Sequence, residues 1–198
     1  MKQMIIATKN QGKAKEFKDF LAPFDIKAVS LLELPNTIDD IEETGTTFEQ
    51  NAALKAETIA DITGGPVLAD DSGLVIDALD GKPGIFSARY AGESKDDNAN
   101  IEKVLSELEN ISLEKRTARF VCVLAMAKPN EVTRFYKGTC DGHIANYPKG
   151  EYGFGYDPIF VPNGYSETMA ELLPNEKNSI SHRKNAFIQL EAWLKGIR

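Results

Sequence analysis

The sequence is poor in the residues that build disulfide frameworks and zinc sites. Its 198 residues include 2 cysteines and 2 histidines. Cys122 and Cys140 both fall in strand-like segments, where we expect buried thiols rather than a disulfide or a metal knuckle. His143 and His182 are too few for a histidine-based zinc site. The chain is long enough to depend on a substantial hydrophobic core instead.

Long apolar runs and an excess of positive charge are also lacking. The sequence has no apolar run that could span a bilayer and no basic-then-apolar leader, so we expect a cytoplasmic protein with no membrane partner. The net charge of -7, from 30 acidic and 23 basic residues, argues against a nucleic-acid surface. No linker-like segment interrupts the chain, which predicts one domain over residues 1–198, with two lobes at most.

Hydrophobic periodicity predicts an α/β fold with a mixed sheet. Short strands are expected over three segments, with a break at 70–73: residues 4–8, 66–69 and 74–79. Helices are expected over four segments: residues 11–21, 48–63, 101–108 and 180–195. Thr46 and Glu49 fit a capping box at the start of the second helix. Residues 116–127 and 132–141 predict an antiparallel hairpin with its turn at 128–131.

The stretch TKNQGK, residues 8–13, places positive charge where the first strand meets the first helix. Free backbone N–H groups and the helix dipole make such a corner a natural phosphate site. Thr8 and Asn10 add short polar side chains, and Lys13 adds a charge. The stretch is not a P-loop, because Ala14 stands where that motif needs a magnesium-binding hydroxyl. The alternative is a capped surface turn.

Acidic residues follow in two groups, at 39–43 and in ADDSG, residues 69–73. Asp70 and Asp71 come directly after a predicted strand, at the sheet edge where α/β proteins bind ligands. One of the pair can hold a metal or a water while the other braces the turn. Magnesium prefers one or two carboxylates together with substrate phosphates and water. Asp39 and Asp40 are better explained as part of a solvated loop.

The stretch KGEYGFGYDPIF, residues 149–160, interleaves glycines with Tyr152, Phe154 and Tyr156. It predicts unusual backbone conformations and an aromatic face that could stack on a nucleobase for about 1 to 3 kcal/mol. A core aromatic loop is the alternative. Asp157 precedes a proline, which predicts an extended residue suited to a directed hydrogen bond.

The stretch NEKNSISHR, residues 175–183, offers hydrogen-bond donors near the start of the last helix. The donors are Lys177, His182 and Arg183. A histidine–arginine pair is by itself more often an ordinary surface feature. Together with the other stretches, it completes a set with a phosphate loop, carboxylates and aromatic rings.

Six motifs in this order carry a resemblance that spans nearly the whole chain. They are TKNQGK (8–13), EETGTTFEQNAALKA (42–56), ADDSGL (69–74), PGIFSARYAG (83–92), FGYDPIF (154–160) and EKNSISHR (176–183). The chain resembles the inosine triphosphate pyrophosphatase family in its bacterial form, which acts on XTP, dITP and ITP. Phe86 departs from the family pattern, which often has tyrosine there.

The resemblance implies a fold, an assembly and a reaction. The expected fold is elongated and two-lobed around a long twisted mixed sheet, with a nucleotide cleft between the lobes. The expected assembly is a homodimer, and the expected cofactor is Mg²⁺, for which Mn²⁺ could substitute. The expected reaction is the hydrolysis of dITP, ITP and XTP to the monophosphate and pyrophosphate, which keeps these nucleotides out of DNA and RNA.

The resemblance also implies roles for individual residues. Asp71 matches the catalytic and metal-associated aspartate, and Glu42 matches the second metal ligand better than Glu43 does. Thr8, Asn10 and Lys13 match the triphosphate-binding positions, and Lys55 would help hold phosphate; Lys9, Gln11 and Gly12 of the same loop are substrate-binding positions. The remaining substrate-binding positions are Ser72, Phe154, Gly155, Tyr156, Asp157, Lys177, His182 and Arg183.

Two other functions compete with this one. A pyrophosphatase of related fold could act on other modified or pyrimidine nucleotides. A nucleotide-binding sensor without turnover is the rival from a different class, although the carboxylate set argues for hydrolysis. A purely structural protein would leave the phosphate loop, carboxylates and aromatic loop without an explanation.

Overall fold

A six-stranded mixed sheet organises the fold of this chain, whose residues 2–196 are described by a computed structural model. Its strands are β1 Lys2–Ile6, β2 Ile26–Ser30, β3 Val67–Ile76, β4 Thr117–Ala127, β5 Arg134–Ile144 and β6 Phe160–Pro162. Their order in the sheet is β2-β1-β3-β4-β5-β6. β1 is parallel to β2 and β3, whereas β5 and β6 are antiparallel, so the prediction of an α/β fold with a mixed sheet is confirmed.

Five α-helices accompany the sheet in the described part of the chain. They are α1 Gln11–Leu21, α2 Phe48–Thr63, α3 Asp97–Glu107, α4 Pro174–Ile180 and α5 His182–Gly196. α1 has the bounds that the sequence predicts, because Ala14, Phe17 and Leu21 form a buried stripe at helical spacing. α4 was not predicted, and the last predicted helix begins as α5 at His182 rather than at residue 180, because Ser181 is extended.

The start of α2 differs by one residue from the predicted capping box. Thr47, not Thr46, is the N-cap: its backbone is extended and its Oγ1 accepts the N–H of Gln50 at 3.1 Å. Gln50 Oε1 in turn accepts the backbone N–H of Thr46 at 2.7 Å. The amide of Gln50 therefore does what the carboxylate of Glu49 was predicted to do. Phe48 consequently opens the helix, and Ala52 and Ala56 are buried.

β3 corrects the largest error in the predicted secondary structure. Residues 70–73 were predicted to break the chain between two short strands, but they lie inside one strand of 10 residues. The Asp-Asp-Ser-Gly composition resembles a turn, yet Asp70 and Asp71 are buried within β3. β2 was also missed, since its short run of residues 26–30 has no strong strand signal.

The described chain forms two compact units. Unit 1 comprises the described residues of Met1–Asp71, Val123–Lys137 and Ala186–Arg198. Its buried side chains include Phe17, Ile59 and Phe187, and the ring of Phe187 stacks on Phe20 at 4.8 Å. Within residues 2–196, every helix is too short or too polar to cross a membrane.

Unit 2 comprises Ser72–Cys122 and Gly138–Asn185. Its core contains Leu74, Ile101, Leu108, Phe120 and Phe160. Arg116 is buried in this unit and donates to the carbonyls of residues 108 and 111, at the end of α3. These bonds satisfy the carbonyl of Leu108, the C-cap of α3, and one carbonyl of the segment that follows it.

The two cysteines behave as the sequence predicts. Cys122 and Cys140 are buried and form no disulfide within the described residues. Burial raises the pKa of Cys140 to about 11, with further contributions from Asp141 and Asp157. A thiol with so high a pKa is a poor nucleophile at neutral pH.

Candidate active site

The corner between β1 and α1 is a capped turn with exposed polar groups. Thr8 Oγ1 accepts the N–H of Asn10 at 3.1 Å, and Asn10 Oδ1 accepts the N–H of Lys13 at 3.0 Å. Three further residues of the predicted phosphate loop are exposed: Lys9, Gln11 and Gly12. The first turn of α1 contains no acidic residue, so the positive end of its dipole is suited to an anion.

Five charged side chains of unit 1 form a carboxylate–lysine group. They are Lys13, Glu43, Lys55, Asp70 and Asp71. Lys13 Nζ lies 2.8 Å from Asp70 Oδ2. Lys55 Nζ lies 2.6 Å from Glu43 Oε1 and 3.6 Å from Asp71 Oδ1. Successive side chains of a strand point to opposite faces, which allows the adjacent aspartates of β3 to meet lysines from two different helices.

Asp71 is held in an environment that opposes its ionisation. Burial raises the pKa of Asp71 to about 6; Lys55 lowers it, whereas Glu43 and Asp70 raise it further. Burial also lowers the pKa of Lys55, but Asp71, Asp70 and Glu43 outweigh burial and raise it overall. Both partners of this ion pair therefore have raised pKa values, because one lysine must balance several carboxylates. A buried carboxyl with a pKa near neutrality is suited to proton transfer.

Asn51 joins the two carboxylate segments of this group. Its side chain is fully buried on α2, and its Oδ1 accepts the N–H of Gly45 at 2.8 Å, which fixes the loop that carries Glu43. The amide also lowers the pKa of Asp71. In the described residues, neither Asn51 Nδ2 nor Asp71 Oδ2 has a partner within hydrogen-bond geometry. The amide of Asn51 thus lies near the carboxylate without a well-formed hydrogen bond, and Asp71 Oδ2 keeps an acceptor position that a ligand can take.

Glu43, rather than Glu42, lies beside Lys55. Glu42 is exposed, whereas Glu43 is half-buried and bonds to the lysine. The geometry therefore favours the residue that the sequence reasoning ranked second. Among residues 2–196, no three His, Cys, Asp or Glu side chains form a ready-made metal cage. Mg²⁺ can nevertheless bind one or two carboxylates when phosphates and water complete its shell.

Unit 2 contains the aromatic loop, which we define as residues 153–157. Gly153 has φ +84, and a Cβ there would come within 2.1 Å of Asp157 Oδ2, so only glycine fits. Asp157 Oδ2 accepts the N–H of Phe154 at 2.9 Å and a bond from Lys177 Nζ at 2.5 Å. Asp157 lies in a 3₁₀ turn, so the predicted extended backbone is wrong, although its hydrogen bonds are directed. The Tyr156 ring is buried.

Cationic side chains lie over the exposed ring of Phe154. Lys177 Nζ and Arg183 Cζ are 5.0 and 5.3 Å from the ring centroid, within the range of cation–π interactions. Arg183 Nη2 also bonds to Ser72 Oγ at 3.3 Å. His182 is buried and stacks on Phe120, at 4.9 Å between ring centroids. Unit 2 thus brings together Phe154, Asp157, Lys177 and Arg183, while His182, the first residue of α5, packs on Phe120 of the core.

A family profile matches residues 4–193, and it is that of the Ham1 family. This chain belongs to the Ham1 family. Its relatives include a dITP/XTP pyrophosphatase of Oceanobacillus iheyensis, 64% identical over 197 residues, with 100% of each chain covered. A dITP/XTP pyrophosphatase of Bacillus subtilis is 56% identical over 195 residues and covers 98% of each chain. The resemblance inferred from the motifs is therefore confirmed.

A solved Ham1 protein has the same fold. The Staphylococcus aureus Ham1 protein superimposes with a TM-score of 0.90 at 49% identity and covers 100% of both chains. The Ham1 fold of this chain thus extends over the whole sequence that carries the six motifs.

Sequence reasoning missed two features of the carboxylate–lysine group. It treated Asp70 as a possible brace without naming Lys13 as its partner, which lies 57 positions earlier in the chain. Asn51 was not singled out, although it stands inside the quoted motif at 42–56. The available signal was a polar residue on the apolar face of a predicted helix. Burying such a side chain costs free energy unless it forms hydrogen bonds, so its position indicates a specific contact.

The raised pKa of Asp71 predicts how stability depends on pH in the absence of metal. The ordinary value is 3.8 and the folded value about 6, so between them the folded chain keeps a proton that the unfolded chain has released. This contribution to stability is present at about pH 4 and is lost as the pH rises through about 6, at a cost of up to about 3 kcal/mol.

Asp71→Asn removes that dependence. Urea unfolding in EDTA at about pH 4, 5.5 and 7 should show the variant gaining stability relative to the parent as the pH rises. Asp61→Asn, an exposed change on α2, is the control and should run parallel to the parent. If the free energy of unfolding of Asp71→Asn depends on pH as that of the parent does, the assignment of the raised pKa to Asp71 is refuted.

Proposed function

We propose that this chain hydrolyses the non-standard purine nucleotides dITP, ITP and XTP to the monophosphate and pyrophosphate. The reaction removes these nucleotides from the pool before they enter DNA or RNA. The observation that carries the proposal is the buried Asp71, with its raised pKa, next to Lys55 and Glu43. The names of the dITP/XTP pyrophosphatases that are more than half identical to the chain support the same reaction.

The phosphate chain of the substrate binds the corner between β1 and α1 and the lysines of the carboxylate–lysine group. The exposed start of α1 supplies backbone N–H groups, and Thr8 and Asn10 shape the turn. Lys13 and Lys55 stabilise the negative charge of the departing pyrophosphate. Their pairing with Asp70 and Glu43 holds both ammonium groups in place before the substrate arrives.

Asp71 accepts the proton of the attacking water. Its ionised form is the base, and the pKa of about 6 leaves it mostly ionised yet still basic at neutral pH. The water adds to phosphorus, the bond between the α- and β-phosphates breaks, and the pyrophosphate leaves with the bonding electrons. Asn51 keeps the carboxylate oriented by facing it from α2.

The donor set fits a magnesium ion. Asp71 Oδ2 is buried and forms no hydrogen bond within the described residues, and Glu43 supplies a second carboxylate. Asp71 and Glu43 would hold the ion. Glu42, which precedes Glu43 in the same loop, is the alternative ligand. When bound, Mg²⁺ neutralises phosphate charge and orients the phosphate groups of the substrate. Homodimer formation and a cytoplasmic location belong to the same proposal.

The base binds the aromatic loop. The exposed ring of Phe154 stacks on the purine, and Lys177 and Arg183 donate to it. Hypoxanthine and xanthine carry a 6-keto acceptor, whereas adenine carries a 6-amino donor. With adenine, these donors would face a 6-amino donor instead of an acceptor, at a cost of about 1 to 3 kcal/mol for each buried group. Guanine also has the 6-keto group, so its exclusion depends on other contacts.

A substrate panel tests the proposal. With Mg²⁺, kcat/KM for pyrophosphate release from dITP, ITP and XTP should exceed that from ATP by about 100-fold or more. EDTA should abolish release from each of them. A flat profile across these nucleotides, or full activity in EDTA, would defeat the proposal. Nucleotide binding without any pyrophosphate release would indicate a sensor instead.

A further inference from the structure

The first turn of α3 bonds to the aromatic loop. Asp97, the first residue of α3, accepts the backbone N–H of Gly155 on its Oδ2 at 2.8 Å. Gly155 has φ +60 and stands between the exposed ring of Phe154 and the buried ring of Tyr156. The bond therefore holds the peptide between Phe154 and Gly155, and it does so with a charged acceptor, which strengthens it.

The same turn holds the neighbouring segment of residues 84–91. Asn100 is buried; its Oδ1 accepts the N–H of Ala91 at 2.6 Å, and its Nδ2 donates to the carbonyl of Ala88 at 3.2 Å. The carbonyl of Ser87 in this segment accepts the hydroxyl of Tyr156 at 2.8 Å. Burial raises the pKa of Tyr156, so the hydroxyl keeps the proton that it donates.

Three consecutive residues of the aromatic loop thus have separate anchors. Phe154 N–H is bound by Asp157, Gly155 N–H by Asp97, and the Tyr156 hydroxyl by Ser87. The anchor from Asp157 lies within the loop, whereas the other two connect the loop to α3 directly or through Asn100. A loop with positive-φ glycines has many accessible conformations, so its conformation depends on such external bonds.

We propose that Asp97 is a positioning residue for substrate selection, a role that rests on the proposed function. By holding Gly155 it sets the orientation of the Phe154 ring, and with it the place of the base against Lys177 and Arg183. Asp97 does not touch the base. Its effect is on the free energy of base binding, and it leaves the proton transfer at Asp71 unchanged.

Adjacent aspartates give the experiment a matched control. Asp96 is the N-cap of α3 and accepts the N–H of Ala99 at 3.0 Å, without a bond to the loop. Asp96→Ala therefore weakens the helix and lowers its melting temperature by about 2 to 4 °C, but it leaves Gly155 bound. Asp97→Ala removes the loop anchor and keeps the cap. Asp97→Asn keeps an acceptor oxygen at the same place.

The variants are compared by dITP hydrolysis and by calorimetric titration with IMP, which carries the base without the pyrophosphate. Asp97→Ala should raise KM for dITP and Kd for IMP by about fivefold to tenfold, with kcat within about twofold of the parent. The ratio of kcat/KM for dITP to kcat/KM for dGTP or dATP should change by a similar factor in this variant. Asp97→Asn should restore both constants to within about twofold of the parent, and Asp96→Ala should leave them unchanged.

The two readouts separate this inference from the proposed function. A parent protein that binds IMP but releases no pyrophosphate from dITP defeats the proposed reaction, and the IMP titrations still decide the role of Asp97. Equal IMP affinity in the parent and Asp97→Ala overturns the inference. The inference also fails if Asp96→Ala weakens IMP binding as much as Asp97→Ala does, or if the parent does not bind IMP.

Discussion

Asp71→Asn is expected to lower kcat for dITP by a factor of about 100 to 10,000, the usual contribution of a general base. Asparagine keeps the shape of the side chain and one acceptor oxygen, but it cannot take a proton from water. Binding should change far less, because Lys13 and Lys55 still face the phosphates. Pyrophosphate release gives kcat, and equilibrium titration of the variant with dITP gives Kd, which should stay within about threefold of the parent.

Asp61→Asn is the control for this measurement, since it makes the same chemical change at an exposed position of α2. It should retain the activity of the parent. The stability of Asp71→Asn provides a second check, because loss of a buried carboxylate with a pKa near 6 should not destabilise the fold at neutral pH. Near-full activity of Asp71→Asn with magnesium would remove Asp71 from the mechanism.

Lys55→Met is expected to lower both activity and stability. The lysine side chain is 15% exposed, and the Asp71 side chain beside it is 9% exposed, so solvent screens their interaction poorly. Methionine leaves Glu43 and Asp71 without their cation, at a cost of about 2 to 4 kcal/mol in the free energy of unfolding in EDTA. The loss of a phosphate-binding charge should lower kcat/KM for dITP by about 100-fold or more.

Lys137→Met is the matched control for Lys55→Met. Lys137 lies 3.3 Å from Glu49, but the two side chains are 55% and 40% exposed, so this pair should contribute less than about 1 kcal/mol. Urea unfolding with and without Mg²⁺ compares the variants. Mg²⁺ should reduce the loss in free energy of unfolding of Lys55→Met, because a bound cation neutralises the same carboxylates. Equal stability of both variants in EDTA would show that Lys55 does not neutralise this group.

The helices α1 and α3 and the strands β4 and β5 were the most predictable part of the fold. α1 and α3 follow apolar residues at helical spacing, and the strands β4 and β5 follow long apolar or alternating runs on either side of a turn. The turn itself is closed by the N–H of Glu131 bonding to the carbonyl of Lys128. These elements depend on residues close together in the chain, so local pattern was sufficient.

β3 shows where local pattern fails. Aspartate, serine and glycine favour turns when they are considered alone. In the folded chain, Asp70 and Asp71 have lysines from α1 and α2 beside them, which offset the cost of burying two carboxylates in a strand. No rule based on neighbouring residues could include those lysines. The one-residue shift of the α2 cap has a similar origin, since either threonine could serve as an N-cap.

The sequence by itself determined the fold class, the order of the six motifs, and the residue types available for phosphate and base binding. Those properties depend on composition and on short-range spacing, which the chain carries before it folds. Only the tertiary structure decided that Glu43 lies beside Lys55, that Asp71 has a raised pKa, and that Asp97 holds Gly155. Each depends on burial or on distances between residues far apart in the chain, and folding alone sets these quantities.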